Sequence, residues 1–359
     1  MRTGGFVVVL VFVLMLVGYV CWHLWRIAPG VTKWVAVSLF FLWMVCFFVN
    51  FAIMNRVPVG VATVLYEVGN TWLIAFLYLL LLFVLSDVAV VCHLLPKTLF
   101  KDSVIGFVSI VGIVAVVMTV GGFHYHKKYR EEIKIVSDKP LEKPLTVVLA
   151  SDLHLGYHNR KTELARWVGL INAEHPDLVL LGGDVVDMGL RSVMEGDYAE
   201  EIRRIKAPVW TVLGNHEYYS HVDEVERFFA DAGIMLLKDS VSHFKGVDVI
   251  GRNDRTNLKR KRLEELVAGL EGFTILLDHQ PYHLEEAEAA GIDFQFSGHT
   301  HRGQVWPLSW ITDIMYEKSW GQYRRGSTLY YISSGLGIWG PKIRIGTRSE
   351  YIVLHIENK

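Results

Sequence analysis

The chain has 359 residues, with 36 Lys and Arg against 37 Asp and Glu, and 52% of it is hydrophobic. Residues 1–123 hold six basic residues (Arg2, Arg26, Lys33, Arg56, Lys97, Lys101) and three acidic ones (Glu67, Asp87, Asp102), which leaves 30 basic and 34 acidic residues for positions 124–359. That division excludes a purely water-soluble protein, a disordered chain and a generic polyanion binder, which would carry a strong basic excess, so no nucleic-acid partner is expected.

Four apolar runs come first: Phe6 to Trp25, Trp34 to Met54, Thr71 to Leu95 with Asp87 inside it, and Val104 to Gly122. About 20 mostly apolar residues of helix suffice to cross a bilayer, so residues 1–123 are expected to form four transmembrane helices. The first run is too long for the apolar core of a signal peptide and no small-x-small cleavage site follows it, so it reads as an anchor. Four spans return the chain to the side of Met1. Flanking Arg and Lys on that side (Arg2, Arg56, Lys127, Lys128, Arg130, Lys134) outnumber those on the other (Arg26, Lys33, Lys97, Lys101). The positive-inside rule then puts the polar region in the cytoplasm of an inner or cell membrane protein. Asp87 is read as a structural residue near an interface or facing a neighbouring span, with a substrate or proton role as the functional alternative. The basic stretch His124 to Arg130 reads as the charged end of a span, with anionic headgroup binding as its alternative. Cys21, Cys46 and Cys92 all lie in the apolar runs, so no cysteine metal site or disulfide framework is available to the polar region.

Residues 124–144 read as a linker, with Pro140 and Pro144 in its mixed-charge second half. Then short β-branched or apolar runs alternate with helical stretches, which argues for an α/β core. Leu145 to Ala150 ends in Ser151-Asp-Leu-His154. Leu178 to Leu181 ends in Gly-Gly-Asp184, and Val209 to Leu213 in Gly-Asn-His216. Thr274 to Leu277 ends in Asp-His279, and Asp293 to Phe296 in Ser-Gly-His-Thr-His301. Open α/β sheets place their sites beyond the carboxyl ends of the strands, so these clusters are expected to converge. They offer Asp152, His154, Asp184, Asn215, His279, His299 and His301. Imidazole with carboxylate suits Mn, Zn, Fe or a similar divalent metal. Seven ligands are too many for one open catalytic ion and the right number for two ions that share a carboxylate. Taken singly, each cluster is also a plausible helix cap or turn; the recurrence after five strands is what carries the reading.

The motifs Asp-x-His (152–154), Gly-Gly-Asp-Val-Val-Asp (182–187), Gly-Asn-His-Glu (214–217), Leu-Leu-Asp-His-Gln-Pro (276–281) and Gly-His-Thr-His-x-Gly-Gln (298–304) resemble the calcineurin-like metallophosphoesterase superfamily, in its bacterial membrane-associated branch. The resemblance covers residues 145–359 and implies a four-layer α-β-β-α sandwich. It implies one metal on Asp152, His154, Asp184 and His301, and a second on the shared Asp184 with Asn215, His279 and His299. A metal-bridging hydroxide would attack phosphorus in such an enzyme. His216 would contact the phosphate and protonate the leaving oxygen, which makes His216, Asp184 and Asn215 the catalytic candidates. Asp187 and Glu217 would orient ligand histidines or cap helices. Arg302 stands where the family usually has glycine, and is a candidate for a second anionic group of the substrate or for solvent. Asn253, Asp254 and Arg255 match a loop that reaches the site in relatives, as further substrate-binding candidates.

Trp306, Trp310, Ile311, Ile314, Met315 and Trp320 fall within fifteen residues just after His301. They read as a lid or membrane contact, with ordinary core packing as the alternative. Gly335 to Gly340 matches a dinucleotide fingerprint in letters only. The alternating Pro341 to Gly346 follows it like a strand, where that motif must open a helix. The expected activity is hydrolysis of a phosphodiester or pyrophosphate in an amphiphilic or lipid-linked substrate, one version of which resembles UDP-2,3-diacylglucosamine pyrophosphatases. The alternative is a non-catalytic membrane scaffold or sensor that keeps the metal site for structure. Oligomeric state is not legible.

Overall fold

The computed structural model describes residues 3–359, so Arg2 of the flanking-charge count lies outside the described residues. The chain divides into two compact units: 1–123 with Gly340–Ile343, and His124–Trp339 with Arg344–Lys359.

The first unit is built on α1 (Thr3–Ile27), α2 (Thr32–Ile53), α3 (Val59–Val91) and α4 (Val104–His126). All four are long and apolar enough to cross a membrane. They present Val8, Leu42, Leu85 and Ile105 outward, which only a lipid surround can match. α3 begins twelve residues before the apolar run that predicts it, because Glu67 interrupts the run but not the helix. A Cβ on Gly69 would sit 2.9 Å from Phe47 Cα, so the missing side chain lets α3 approach α2 closely. Asp87 accepts hydrogen bonds from Tyr19 Oη at 2.7 Å and from His23 Nε2 at 3.1 Å, tying α3 to α1. That is the structural role its sequence position suggests.

The second unit holds two six-stranded sheets. The first runs in the order β1 (Lys128–Ser137), β12 (Ser349–Asn358), β2 (Leu145–Ala150), β3 (Leu178–Leu181), β4 (Val209–Thr211), β5 (Ile234–Leu236). The second runs β10 (Gly321–Arg325), β11 (Thr328–Ile332), β9 (Phe294–Ser297), β8 (Phe273–Leu277), β7 (Val247–Gly251), β6 (Ser240–Phe244). The ladders from β2 to β5, and from β7 through β8 and β9 to β11, are parallel. Their carboxyl ends therefore carry the motif loops to one rim of each sheet.

Side-chain alternation along each strand builds the layers. Val147, Leu149, Leu178 and Leu180 of the first sheet join Ile275, Leu277, Phe294 and Phe296 of the second in one core. Their neighbours Val148, Ala150, Val179 and Leu181 face the other way, onto α5 (Lys161–Ala173) and α9 (Val222–Asp231) through Trp167, Phe228 and Phe229. Ile250, Leu276 and Ile332 pack on α10 (Leu263–Val267) and α11 (Leu284–Ala289). Strands buried on both faces read as continuous apolar runs, which is why these were visible in the sequence. Short helices α6 (Arg191–Glu195), α7 (Tyr198–Ile202) and α8 (Asn215–Tyr219) fill the loops of the first sheet, and α12 (Leu308–Met315) follows β9.

Two expectations are corrected. Residues 124–144 are not all linker: α4 runs to His126, β1 occupies Lys128–Ser137 in parallel register with β12, and 138–144 alone connects. β1 is an edge strand with little apolar burial, so its Lys and Glu content hides it. Pro341 to Gly346 is irregular and makes one bridge, from Ile345 to Val305, rather than a strand. Arg344 in its middle is fully buried.

Candidate metal centre

The loops after β2, β3, β8 and β9 bring Asp152, His154, Asp184, His279, His299 and His301 together, and the loop after β4 carries buried Asn215 one residue before the His216 amide that meets Asp184. His154 Nε2 faces His301 Nε2 at 3.1 Å. Asp152 Oδ1 lies 3.5 Å from His301 Nε2, and Asp184 Oδ2 lies 3.8 Å from His154 Nε2. Two ligands held about 2.1 Å from one ion at right or tetrahedral angles stand about 3.0–3.4 Å apart, the spacing of these imidazoles. Asp184 Oδ2 also lies 3.1 Å from His279 Nε2, and Asp184, His279 and His299 form a second ligating group. Asp184 also groups with His154 and His216, so one carboxylate links the His154 side of the cluster to the His279 side.

Polar atoms that find no partner test whether metals fit. His279 Nε2 is close to Asp184 yet not aligned for a hydrogen bond, and Asn215 Oδ1 is buried with no donor. Buried polar atoms are nearly always satisfied, so an imidazole nitrogen left unanswered 3.1 Å from Asp184, with a second orphan on the residue just before His216, marks a place where cations belong. Hydrogen bonds hold these carboxylates in place. Asp152 Oδ2 accepts from Ser151 Oγ at 2.5 Å and Oδ1 from the His299 amide at 3.0 Å, while Asp184 Oδ1 accepts from the His216 amide at 2.9 Å. The residues present fit a pair of divalent ions.

Electrostatics agree with that use. Burial pulls His299 and His301 down to about 4 and His154 well below its ordinary value, which keeps their lone pairs free at neutral pH. Although burial opposes it, the Asp184 charge holds His279 well above the usual range, so a cation seated there would displace a proton.

The local backbone is unusual in the same place. Asp152, His154, Asp184, His299 and His301 all have positive φ, between 44° and 71°. Left-handed backbone at non-glycine residues is costly and concentrates at functional sites, where surrounding structure holds it. Glycine makes room beside it. A Cβ on Gly298 would lie 2.7 Å from Ser151 Oγ, and one on Gly214 the same distance from the Asp184 amide.

His216 has 16% of its side chain exposed, and its Nδ1 sits 2.6 Å from Asp187 Oδ1. Burial lowers its proton affinity, but the Asp184 charge and the Asp187 hydrogen bond outweigh that and raise its pKa to about 9. With Nδ1 engaged, Nε2 is the atom left to donate a proton. Asp187 therefore holds His216 rather than a ligand histidine. Glu217 caps α8, one of its two expected roles, through the Gly214 amide, and also accepts from the amides of Asp184, Val185 and Val186, which fixes the loop that carries Asp184. Burial and the Asp184 charge push its carboxyl up to about 7 against those four amides.

The substrate-binding candidates fare differently. Asn253 and Asp254 are buried, and their oxygens are used internally by Tyr218 Oη at 2.7 Å and by Gln280 Nε2 at 2.9 and 3.0 Å. Burial and engagement leave them to shape the loop, not to reach outward. Arg255 lies 4.2 Å over the Tyr282 ring, Tyr282 Oη donates to Tyr316 Oη at 3.1 Å, and the Tyr316 ring is 6.3 Å from that of His299. Arg302 stacks 4.3 Å over Trp320.

Two residues were not legible as part of the site. Tyr316, at the end of α12, is one. Arg344 is the other: fully buried, it donates through Nη2 to the carbonyls of Ser334 at 2.5 Å and Gly337 at 2.9 Å, and through Nη1 to that of His301 at 3.4 Å. The amides of Leu336 and Gly337 in turn donate to Ser151 O and Asp152 O. One guanidinium thereby fastens the segment behind Asp152 and the backbone of His301. A lone arginine in an alternating run gives no sign of this.

The chain is 29% identical over 229 residues to an uncharacterized metallophosphoesterase of Campylobacter jejuni, a match covering 61% of each chain. It is 31% identical over 236 residues to one of Helicobacter pylori, covering 63% of each. It is also 32% identical over 235 residues to a transmembrane protein with metallophosphoesterase domain of Danio rerio, covering 57% of this chain and 52% of that one. The chain thus spans about three fifths of the length of the bacterial relatives. Four long apolar helices and the transmembrane relative together mark it as a membrane protein. Residues 145–303, which carry all seven candidate ligands, match the family model for calcineurin-like phosphoesterase.

Proposed function

We propose that the polar domain is a metal-dependent phosphoester hydrolase acting on a phosphodiester or pyrophosphate of an amphiphilic, lipid-linked substrate. The observation that carries the hydrolase reading is the shared carboxylate, Asp184 Oδ2, between two groups of imidazole and carboxylate ligands. Asp152, His154, Asp184 and His301 would hold one divalent ion, and Asp184, Asn215, His279 and His299 the other. Bound there, the pair would supply an activated water and neutralise charge on the phosphoryl group. His216 supplies the proton: Asp187 holds its Nδ1, and Nε2 donates to the departing oxygen.

The amphiphilic substrate is supported by α12. Trp310, Ile311, Ile314 and Met315 are 59%, 52%, 86% and 58% exposed, a contiguous apolar face too large to be left in water without reason. The same helix ends in Tyr316, beside His299. Trp320, by contrast, gives its Nε1–H to Glu350 and lies between Arg302 and Arg348, so it belongs to the domain's packing. The excess of flanking Arg and Lys supports a cytoplasmic domain, which protease accessibility in sealed inverted vesicles would check.

The test is hydrolysis by the detergent-solubilised full chain with Mn or Zn, on p-nitrophenyl phosphate, bis-p-nitrophenyl phosphate and a UDP-linked lipid. Turnover is expected to fall to the metal-and-buffer background in Asp184→Asn. Trp310→Ser combined with Ile314→Ser should lower hydrolysis of vesicle-embedded substrate about tenfold and leave soluble esters unchanged. Metal-loaded protein with no turnover on any ester would overturn the hydrolase reading. An equal loss on soluble and embedded substrates would overturn the lipid reading alone.

A further inference from the structure

The end of the last span opens onto a cavity that shares no residue with the metal centre. It measures about 410 Å³ and is lined by His126, Lys128, Glu163, Arg166 and Trp167 among others. His126 is the final residue of α4 and Lys128 the first of β1. One residue of chain spans at most about 3.6 Å, so continuity alone keeps this cavity where the fourth span leaves the apolar layer.

Its walls suit a phosphate. Lys128 Nζ is fixed 3.8 Å over the Tyr125 ring and 5.3 Å from that of Trp167, and donates to Tyr125 O at 2.9 Å. An ammonium immobilised on aromatic faces needs no reordering to meet an anion. Arg166 projects from α5, exposed, with its guanidinium in no hydrogen bond or ion pair among the described residues. Arginine in that state offers a planar fork matched to two phosphate oxygens. Buried Glu163 is the one carboxylate, with His126 Nδ1 3.9 Å away on the cavity side. Trp167 supplies a broad apolar floor under the charged groups, as interfacial tryptophans do.

We infer that this cavity binds the phosphate of an anionic phospholipid headgroup, with Arg166 and Lys128 as its ligands. The occupant is a lipid rather than free phosphate because the cavity adjoins the span's exit, where phospholipid phosphates are at far higher local concentration than soluble ones. Its effect would be to hold the domain's first strand and α5 against the headgroup layer, whatever the domain hydrolyses.

Native mass spectrometry of the purified full chain in detergent tests this, with dioleoylphosphatidylglycerol and dioleoylphosphatidylcholine titrated separately. Each basic residue near an anionic surface contributes about fivefold in affinity. Arg166→Gln and Lys128→Gln should each weaken the first phosphatidylglycerol site about fivefold, and together roughly twentyfold, down to the phosphatidylcholine level. Arg166→Lys should recover part of the loss, and Glu163→Gln should tighten binding by removing a like charge. Arg130→Gln should change nothing, because Glu132 and Glu174 already engage that guanidinium. Full phosphatidylglycerol affinity in the double variant would overturn the proposal. So would displacement of the lipid by millimolar inorganic phosphate, which would identify a soluble-anion site. If Lys128→Gln fails to fold, the exposed Arg166→Gln carries the test alone.

Discussion

The helical bundle and the polar domain both bury polar side chains, and they treat them in opposite ways. In the bundle, several polar atoms turn back on their own helix (Ser86 Oγ donates to Leu82 O, Asn70 Nδ2 to Tyr66 O, and Thr119 Oγ1 to Ala115 O), and others, such as Asp87 with Tyr19 and His23, pair with a neighbouring helix. The atoms left over, on Asn50, Asn70 and Trp72, lie in no metal-ligating group among the described residues. In the domain, Asn215 Oδ1 and His279 Nε2 are left unanswered among the candidate ligands, while His154 and His301 leave only Nδ1 and face each other through Nε2; Ser192, Thr328, Arg344 and Ser349 leave further atoms elsewhere. Lipid offers no partner, so membrane helices answer their polar groups on their own backbone or on a neighbouring helix. A rim of strand ends can instead aim several groups at one point and keep them unsatisfied for a ligand. The same orphan atom is a defect in one setting and coordinating capacity in the other.

That contrast predicts where substitutions hurt. The largest effect should come from Arg344→Met in the domain, which strips donors from buried carbonyls behind Asp152 and His301. Destabilisation of about 3 kcal/mol is expected, with loss of bound metal preceding global unfolding in a thermal melt. Unchanged metal stoichiometry up to the melting point would show that the centre does not depend on this anchor. Asp187→Asn is next: activity should fall about 10–100-fold. The loss should be greater for alkyl phosphoesters than for p-nitrophenyl esters, whose leaving group needs little help from a proton donor. An equal loss on both would mean that Asp187 serves something other than proton donation by His216. The smallest effect should be Asp87→Asn in the bundle. Its bonds to Tyr19 and His23 join two helices, but such contacts average only about 0.6 kcal/mol in membranes. The expected result is a slight drop in unfolding temperature with hydrolysis unchanged. A clear change in hydrolysis would show the two units to be coupled, and would break the comparison.

Much of the domain was legible because its central strands are buried on both faces. β2 and β3 begin and end where the apolar runs do, and β4, β8 and β9 within two residues of theirs. The ligand set was legible for a related reason: each ligand directly follows such a strand, so the run of apolar residues points to it. Elsewhere the same logic fails. β1 alternates Lys, Arg and Glu with Ile because it lies at a sheet edge, and its composition resembles the charged end of a span. Asn253 and Asp254 look available in sequence, yet fold inward to bond Tyr218 and Gln280.

The sequence by itself determined the four apolar spans, the α/β character of the polar region and the seven candidate ligands, since each follows from local composition or from position at a strand end. Only the tertiary structure decided that β12 inserts between β1 and β2, parallel to one and antiparallel to the other. It also decided that Arg344 anchors the metal centre, that α12 turns its apolar face outward, and that Lys128 and Arg166 meet at the end of α4. These depend on which distant segments become neighbours. Pairing of that kind is set by the closing of the whole core and leaves no periodic trace in any one stretch of chain.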